Sequence, residues 1–207
     1  MTDKPTIEGL HPHIRSADAR TNHPELYTAG AQPAAEDEVG DLLWALVRLL
    51  KPDSVLETGT AFGHTAARIC DALEDNGVGT LTTIEMKPNR FLMAKERLTD
   101  RPAIVINSAY EQYTPPRGTK YGLCFFDATR HDRDQEYLHF RPWIPDNAVL
   151  VFHDTGAQHP GMNGVKALED AGLIRSLFFP TPRGISVAIP ASNDGDDKLR
   201  RTDSDAA

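Results

Sequence analysis

Five short apolar runs, each leading into an acid or an amide, constrain the fold of this chain more than any other feature. They span 54–57, 79–85, 103–106, 121–126 and 148–152, and their polar ends are Glu57, Glu85, Asn107, Asp127 and the pair His153-Asp154. Helix-forming stretches lie between most of them. The first precedes the runs, over 35–50, where Val39, Leu42, Leu43, Leu46, Val47 and Leu50 recur every three or four residues behind an acidic first turn, as an amphipathic helix requires. Lys51-Pro52-Asp53 ends it. A second carries Ala66, Ala67, Ile69, Cys70 and Leu73 and stops at Asp75-Asn76-Gly77; a third, over 88–98, has proline in its first turn, where the missing N–H costs nothing. Further helices are expected over 133–143 and 164–171. Two last strands, 176–179 and 184–189, flank Pro180-Thr181-Pro182-Arg183 and predict an antiparallel pair.

Strands alternating with helices predict an α/β fold: one Rossmann-like, doubly wound domain over 35–190. Its seven-stranded sheet is expected to be mostly parallel, with an antiparallel last strand and helices on both faces. Residues 1–34 read as an arm that folds over a site, and 191–207, polar and charged, as a disordered tail. At 207 residues with a net charge of −8, the chain has room for one full core and no basic cluster, which argues against nucleic acid as a partner. No apolar stretch reaches membrane-spanning length and no signal-peptide core opens the chain. Two cysteines, Cys70 and Cys124, lie in apolar segments without paired spacing and read as buried thiols. A cytoplasmic enzyme is the expectation.

In a parallel sheet, ligands bind beyond the carboxyl ends of the strands, so the five polar strand ends are expected to ring one crevice. After the first strand, VLETGTAFGHTA has the spacing Glu57-x-Gly59-x-x-x-Gly63. This differs from the G-x-G-x-x-G turn that holds a dinucleotide pyrophosphate.

That turn resembles the first motif of class I S-adenosylmethionine-dependent methyltransferases. The resemblance implies cofactor contacts at Glu57, Gly59, Thr60 and Gly63, at Glu85 and Met86 after the second strand, at Asn107, Ser108 and Ala109 after the third, and at Asp127. Glu85 matches the acceptor of the ribose hydroxyls, and a carboxylate near Glu57 would attract the cofactor's ammonium. Within the class, FFDATRHDRDQEY followed by VLVFHDTG resembles small-molecule O-methyltransferases of the catechol type and a related bacterial natural-product and sugar group. By that likeness Asp127, His131, His153 and Asp154 are the catalytic candidates. Asp127, Asp154 and His153 would hold Mg²⁺ or Mn²⁺, although Thr155 stands where the catechol type has an Asn ligand. The implied reaction is in-line methyl transfer to a hydroxyl of a small-molecule acceptor, with a metal lowering the hydroxyl pKa or His131 or His153 acting as base. The likeness also allows a homodimer.

His64 reads as a helix-start surface residue, and His11, His13, His23 and His159 as exposed loop residues. Trp44 and Trp143 read as core. Tyr27 and the loop 158–163 are candidates for the acceptor pocket. The rival readings are a metal-dependent tailoring enzyme on the same fold, an NAD-dependent oxidoreductase, and a cofactor-free interaction module.

Overall fold

The computed structural model of the protein describes residues 14, 16–30, 34–129 and 131–191. His11, His13 and the tail from 192 onward lie outside them. In chain order the elements are α1 (Asp37–Leu50), β1 (Ser54–Thr58), α2 (His64–Asn76), β2 (Thr80–Glu85), α3 (Pro88–Arg97) and β3 (Ala103–Asn107). They continue with β4 (Leu123–Phe126), α4 (Arg133–Phe140), β5 (Val149–His153), α5 (Gly161–Asp170), β6 (Ile174–Phe179) and β7 (Ile185–Pro190). The seven strands form one sheet in the order β3-β2-β1-β4-β5-β7-β6. β1 to β5 are mutually parallel, and β7 runs antiparallel between β5 and β6. The expected architecture, including the antiparallel last strand, is the observed one.

Burial explains why each element lies where it does. Val39, Leu43 and Val47 form the buried stripe of α1, and Ala66, Ile69, Cys70 and Leu73 that of α2. Both stripes pack on one sheet face around Val55, Leu81, Leu123 and Val151. Tyr137 and Phe140 of α4, with Val165 and Leu168 of α5, cover the other face around Leu56, Cys124, Leu150 and Phe152. Both cysteines are free and buried. Trp44 and Trp143 pack partly buried against the two clusters.

The helix expected over 133–143 ends at Phe140 and continues as a 3-10 turn, Arg141–Trp143. Pro142 lacks the N–H an α-helix would need there. α5 starts at Gly161 rather than Gly164, and β6 at Ile174, which is buried and pairs with Pro190.

Chain order reverses between β1 and β4, and the pairings Thr58↔Ile84, Thr58↔Phe126 and Phe126↔Phe152 bring four strand ends level. The turn after β1 crosses this crevice close to β4. Gly59 takes φ +83°, and a Cβ there would collide with the backbone carbonyl of Asp127. Left-handed backbone and close approach together exclude a side chain. Gly59→Ala is therefore expected to lower unfolding free energy by about 2–4 kcal/mol, combining overpacking with backbone strain, as urea denaturation would measure.

Candidate active site

A cavity of about 410 Å³ opens at the carboxyl ends of β1, β2 and β4 and extends past β3. One wall is the turn after β1, where Gly59 and Thr60 donate to the Ile84 carbonyl. Glu85 ends β2 on the adjoining wall. Its Oε2 accepts from Ala61 N and its Oε1 from Lys87 N, both at 2.8 Å. Two backbone donors fix the carboxylate, and each oxygen keeps a lone pair for a ligand. Met86, Ser108, Ala109 and Tyr110 continue the lining.

Glu57, Thr60, Gly63 and Asn107 stand behind this wall. Glu57 is buried and accepts from the Thr83 hydroxyl. Burial pushes its carboxyl up to about 8; Thr83 opposes the shift, and the charges of Asp127 and Glu85 add to it. Thr60 shares a hydroxyl contact with Thr83. Gly63 caps α2 with φ 77° and lies against α3. Asn107 donates to the Glu85 carbonyl at 2.8 Å.

The opposite end of the cavity is a network of charges. Arg133, at 0% exposure, donates from Nε to the His153 carbonyl (2.7 Å), from Nη1 to the Thr129 carbonyl and Glu136 Oε1 (both 2.6 Å), and from Nη2 to Asp127 Oδ1 (2.9 Å). Glu136 also accepts from the Thr58 hydroxyl. Arg183, in the turn between β6 and β7, grips Asp154 with two donors at 2.7 and 2.8 Å. Its Nη1 and backbone N–H reach the Ala34 carbonyl and Glu36 Oε1, each at 3.0 Å. His153 lies between two carboxylates: Nδ1 is 3.0 Å from Asp127 Oδ1 and Nε2 is 2.8 Å from Glu36 Oε2. Asp154 itself has φ 59°, a left-handed conformation that aspartate tolerates.

Residues 56–155 match a family described as a methyltransferase domain. A protein of Mycobacterium sp. (strain KMS) named "Putative O-methyltransferase" is 30% identical over 181 residues, covering 80% of this chain and 79% of that protein. The chain belongs to the class I S-adenosylmethionine-dependent O-methyltransferases. Among solved structures, this O-methyltransferase shares its fold with TomG of Streptomyces achromogenes, determined with bound S-adenosylmethionine. The TM-score is 0.64 at 20% identity, over 77% of this chain and 82% of that one. An O-methyltransferase of Bacillus cereus, in complex with S-adenosylhomocysteine, gives 0.64 at 14% identity over 77% and 84%.

Of the residues singled out in the sequence, Gly59, Glu85, Met86, Ser108, Ala109, Asp127 and Asp154 line the cavity. His131 is exposed on the turn before α4 and outside the lining. His153 is unsuited to the role of general base. Burial pulls its imidazole down, but the surrounding carboxylates, Asp127 foremost, raise it to about 9. The ring is therefore a doubly donating cation near neutral pH. His159, expected on the surface, is buried, with Nδ1 3.6 Å from Asp154 Oδ1. Tyr27 and the loop 158–163 do not line the cavity. Arg133, Arg183 and Glu36 escaped the sequence reading. In sequence they are two loop or helix-start arginines and a helix N-terminal acid, types that usually sit in solvent.

Asp127, His153 and Asp154 do converge, with candidate ligand atoms within 4.8 Å of one another. The donors nevertheless do not fit a divalent cation. Both Asp154 oxygens accept from Arg183, Asp127 Oδ1 serves Arg133 and His153, and both His153 nitrogens are engaged, by Asp127 and Glu36.

The raised imidazole carries a stability signature. A folded-state value of about 9 against an ordinary 6.5 means the stabilisation is complete below pH ~6.5 and is lost as pH rises through ~9. Urea unfolding at constant ionic strength should show stability falling across that window, with a shallower slope in His153→Gln.

Proposed function

We propose that this O-methyltransferase binds S-adenosylmethionine along the β1–β3 ends of the cavity and methylates a hydroxyl of a small-molecule acceptor at the β4–β5 ends. The observation carrying this reading is the Glu85 carboxylate, fixed by two backbone N–H groups on the wall of a cavity that also contains Asp127. A carboxylate so held suits a vicinal diol, accepting one hydroxyl on each oxygen. The close approach of Gly59 to β4 leaves the adjoining wall free of side chains. Ser108 and Ala109 flank the position expected for the adenine, and buried Glu57 stands behind the Gly59 turn, where a nearby ammonium would draw its raised carboxyl toward the ionised form.

When bound, S-adenosylmethionine supplies the methyl group, whose bond to sulfur breaks as the bond to the acceptor oxygen forms, the electron pair passing to sulfur. The chain's contribution is position and proton transfer. Asp127 Oδ1 is held by Arg133 and His153, and among the described residues no hydrogen bond reaches Oδ2. Oδ2 is the proton acceptor in this reading, receiving the acceptor hydroxyl's proton as the methyl group moves. Arg133, His153 and Arg183 surround the developing oxyanion with fixed positive charge, which favours the ionised acceptor without reorganisation.

Two variants test the assignments separately. Glu85→Ala should weaken S-adenosylmethionine binding by about 10- to 100-fold, the loss of hydrogen bonds to a charged group, as calorimetric titration would read. Asp127→Asn should lower methyl transfer to a screened hydroxylated acceptor by about 100-fold or more. Its cofactor affinity should change by only a few-fold. Unaltered binding in Glu85→Ala would remove the cofactor from this cavity wall; unaltered turnover in Asp127→Asn would remove Asp127 as the base.

A further inference from the structure

We infer that Arg183 fills the charge position that the catechol-type resemblance assigns to a divalent cation, so that methyl transfer by this chain requires no metal. The inference rests on the O-methyltransferase reading above and concerns how the acceptor end of the site is neutralised.

The argument begins with the carboxylates. Asp127 and Asp154 end neighbouring parallel strands, so any fold of this topology brings their charges together at the cavity. Unneutralised, they would repel each other and any ionised acceptor oxygen. A hard dication is one remedy, and it needs free carboxylate oxygens. Here the remedy is built from the chain. Arg183 meets Asp154 through two parallel donors, at 2.7 and 2.8 Å, the bidentate geometry in which guanidinium and carboxylate match best. Arg133 meets Asp127 at 2.9 Å, and its Nη2 lies 3.7 Å from Asp154 Oδ2. Arg133 and Arg183 thus set two permanent cations against Asp127, Glu136 and Asp154, and the His153 ring closes the network between Asp127 and Glu36. A dication added to that balance would have to expel an arginine.

Arg183 is also not free to leave. Its Nη1 is tied to the Ala34 carbonyl and its backbone N–H to Glu36 Oε1, each at 3.0 Å. The turn carrying it is closed by Gly184, where a Cβ would collide with Gly156 and φ is +81°. Thr155 and Gly156 in turn donate to the Gly184 and Arg183 carbonyls at 3.1 and 2.8 Å. The segment that follows Asp154 is thereby bonded to the turn that carries Arg183. At 155, where the resemblance would place a third, amide ligand, the Thr155 hydroxyl is instead 3.0 Å from the Ser186 hydroxyl of β7.

Manganese titration of the full chain, followed by electron paramagnetic resonance, tests this directly, beside a calorimetric titration with S-adenosylmethionine in chelator. The wild type should show no Mn²⁺ site tighter than about 1 mM, the weak end of protein oxygen sites. Arg183→Met should gain Mn²⁺ binding at least about tenfold tighter, because it removes the bidentate cation from Asp154. Arg183→Gln provides a second background if the methionine variant does not fold. Stoichiometric Mn²⁺ binding by the wild type that disappears in Asp154→Asn would overturn the inference. So would a folded Arg183 variant that gains no binding. Failure to bind S-adenosylmethionine in chelator, with no Mn²⁺ site, would instead count against the methyltransferase reading of the cavity and leave the charge assignment standing.

Discussion

The buried guanidinium of Arg133 is the interaction on which the site depends. A guanidinium cannot shed its proton in a protein, so burying one obliges the fold to supply acceptors in its plane. Arg133 finds them at four places: the Asp127 carboxylate after β4, the Thr129 carbonyl in the loop that follows, the carbonyl of His153 at the end of β5, and Glu136 one turn along its own helix. Glu136 passes the connection to Thr58 at the end of β1. Three adjacent strand ends and the helix beside them are thus tied to one charged group. The β4–β5 end of the cavity takes its shape from that group, while the hydrophobic layers on the two sheet faces hold the strands themselves.

The two ends of the cavity are built by different physics. At the β1–β3 end, backbone geometry dominates: the turn at Gly59 presses against β4, and Glu85 is oriented by backbone N–H groups. At the β4–β5 end, side-chain charge dominates, with Arg133, Arg183 and His153 interleaved among carboxylates. Fixed dipoles and main-chain donors suit a cofactor of constant shape. Interlocked charges suit the place where a hydroxyl must lose a proton, since their positions do not change as the oxygen becomes negative.

The Glu36–His153 contact shows how the segment ahead of the sheet contributes. Glu36 stands at the N-cap position of α1, and its carboxylate points away from the helix to meet both the imidazole at the end of β5 and the backbone of Arg183. Asp18, farther toward the N-terminus, is buried and accepts from Ala157 N at 2.7 Å. The segment before α1 therefore packs beside the loops that follow β5 and β6, and two of its buried acids make hydrogen bonds there.

The alternation of strands and helices, the mostly parallel sheet with its antiparallel last strand, the glycine turn and the acids at the strand ends were legible in the sequence, because they depend on local alternation and on the rule that parallel strands present their carboxyl ends to one crevice. Glu85, Asp127 and Asp154 needed nothing more to be found. What the side chains do to one another was not legible. His153 looks like a base in sequence and is a buried cation in the fold, because Glu36, 117 positions earlier, and Asp127, 26 positions earlier, close on its two nitrogens. Asp154 looks like a metal ligand until Arg183, 29 positions later, covers both its oxygens. The sequence by itself determined the scaffold and the place of the site, since both follow from neighbours along the chain. Only the tertiary structure decided the charge state and partners of the site's residues, because protonation and ion pairing are set by groups that meet through space.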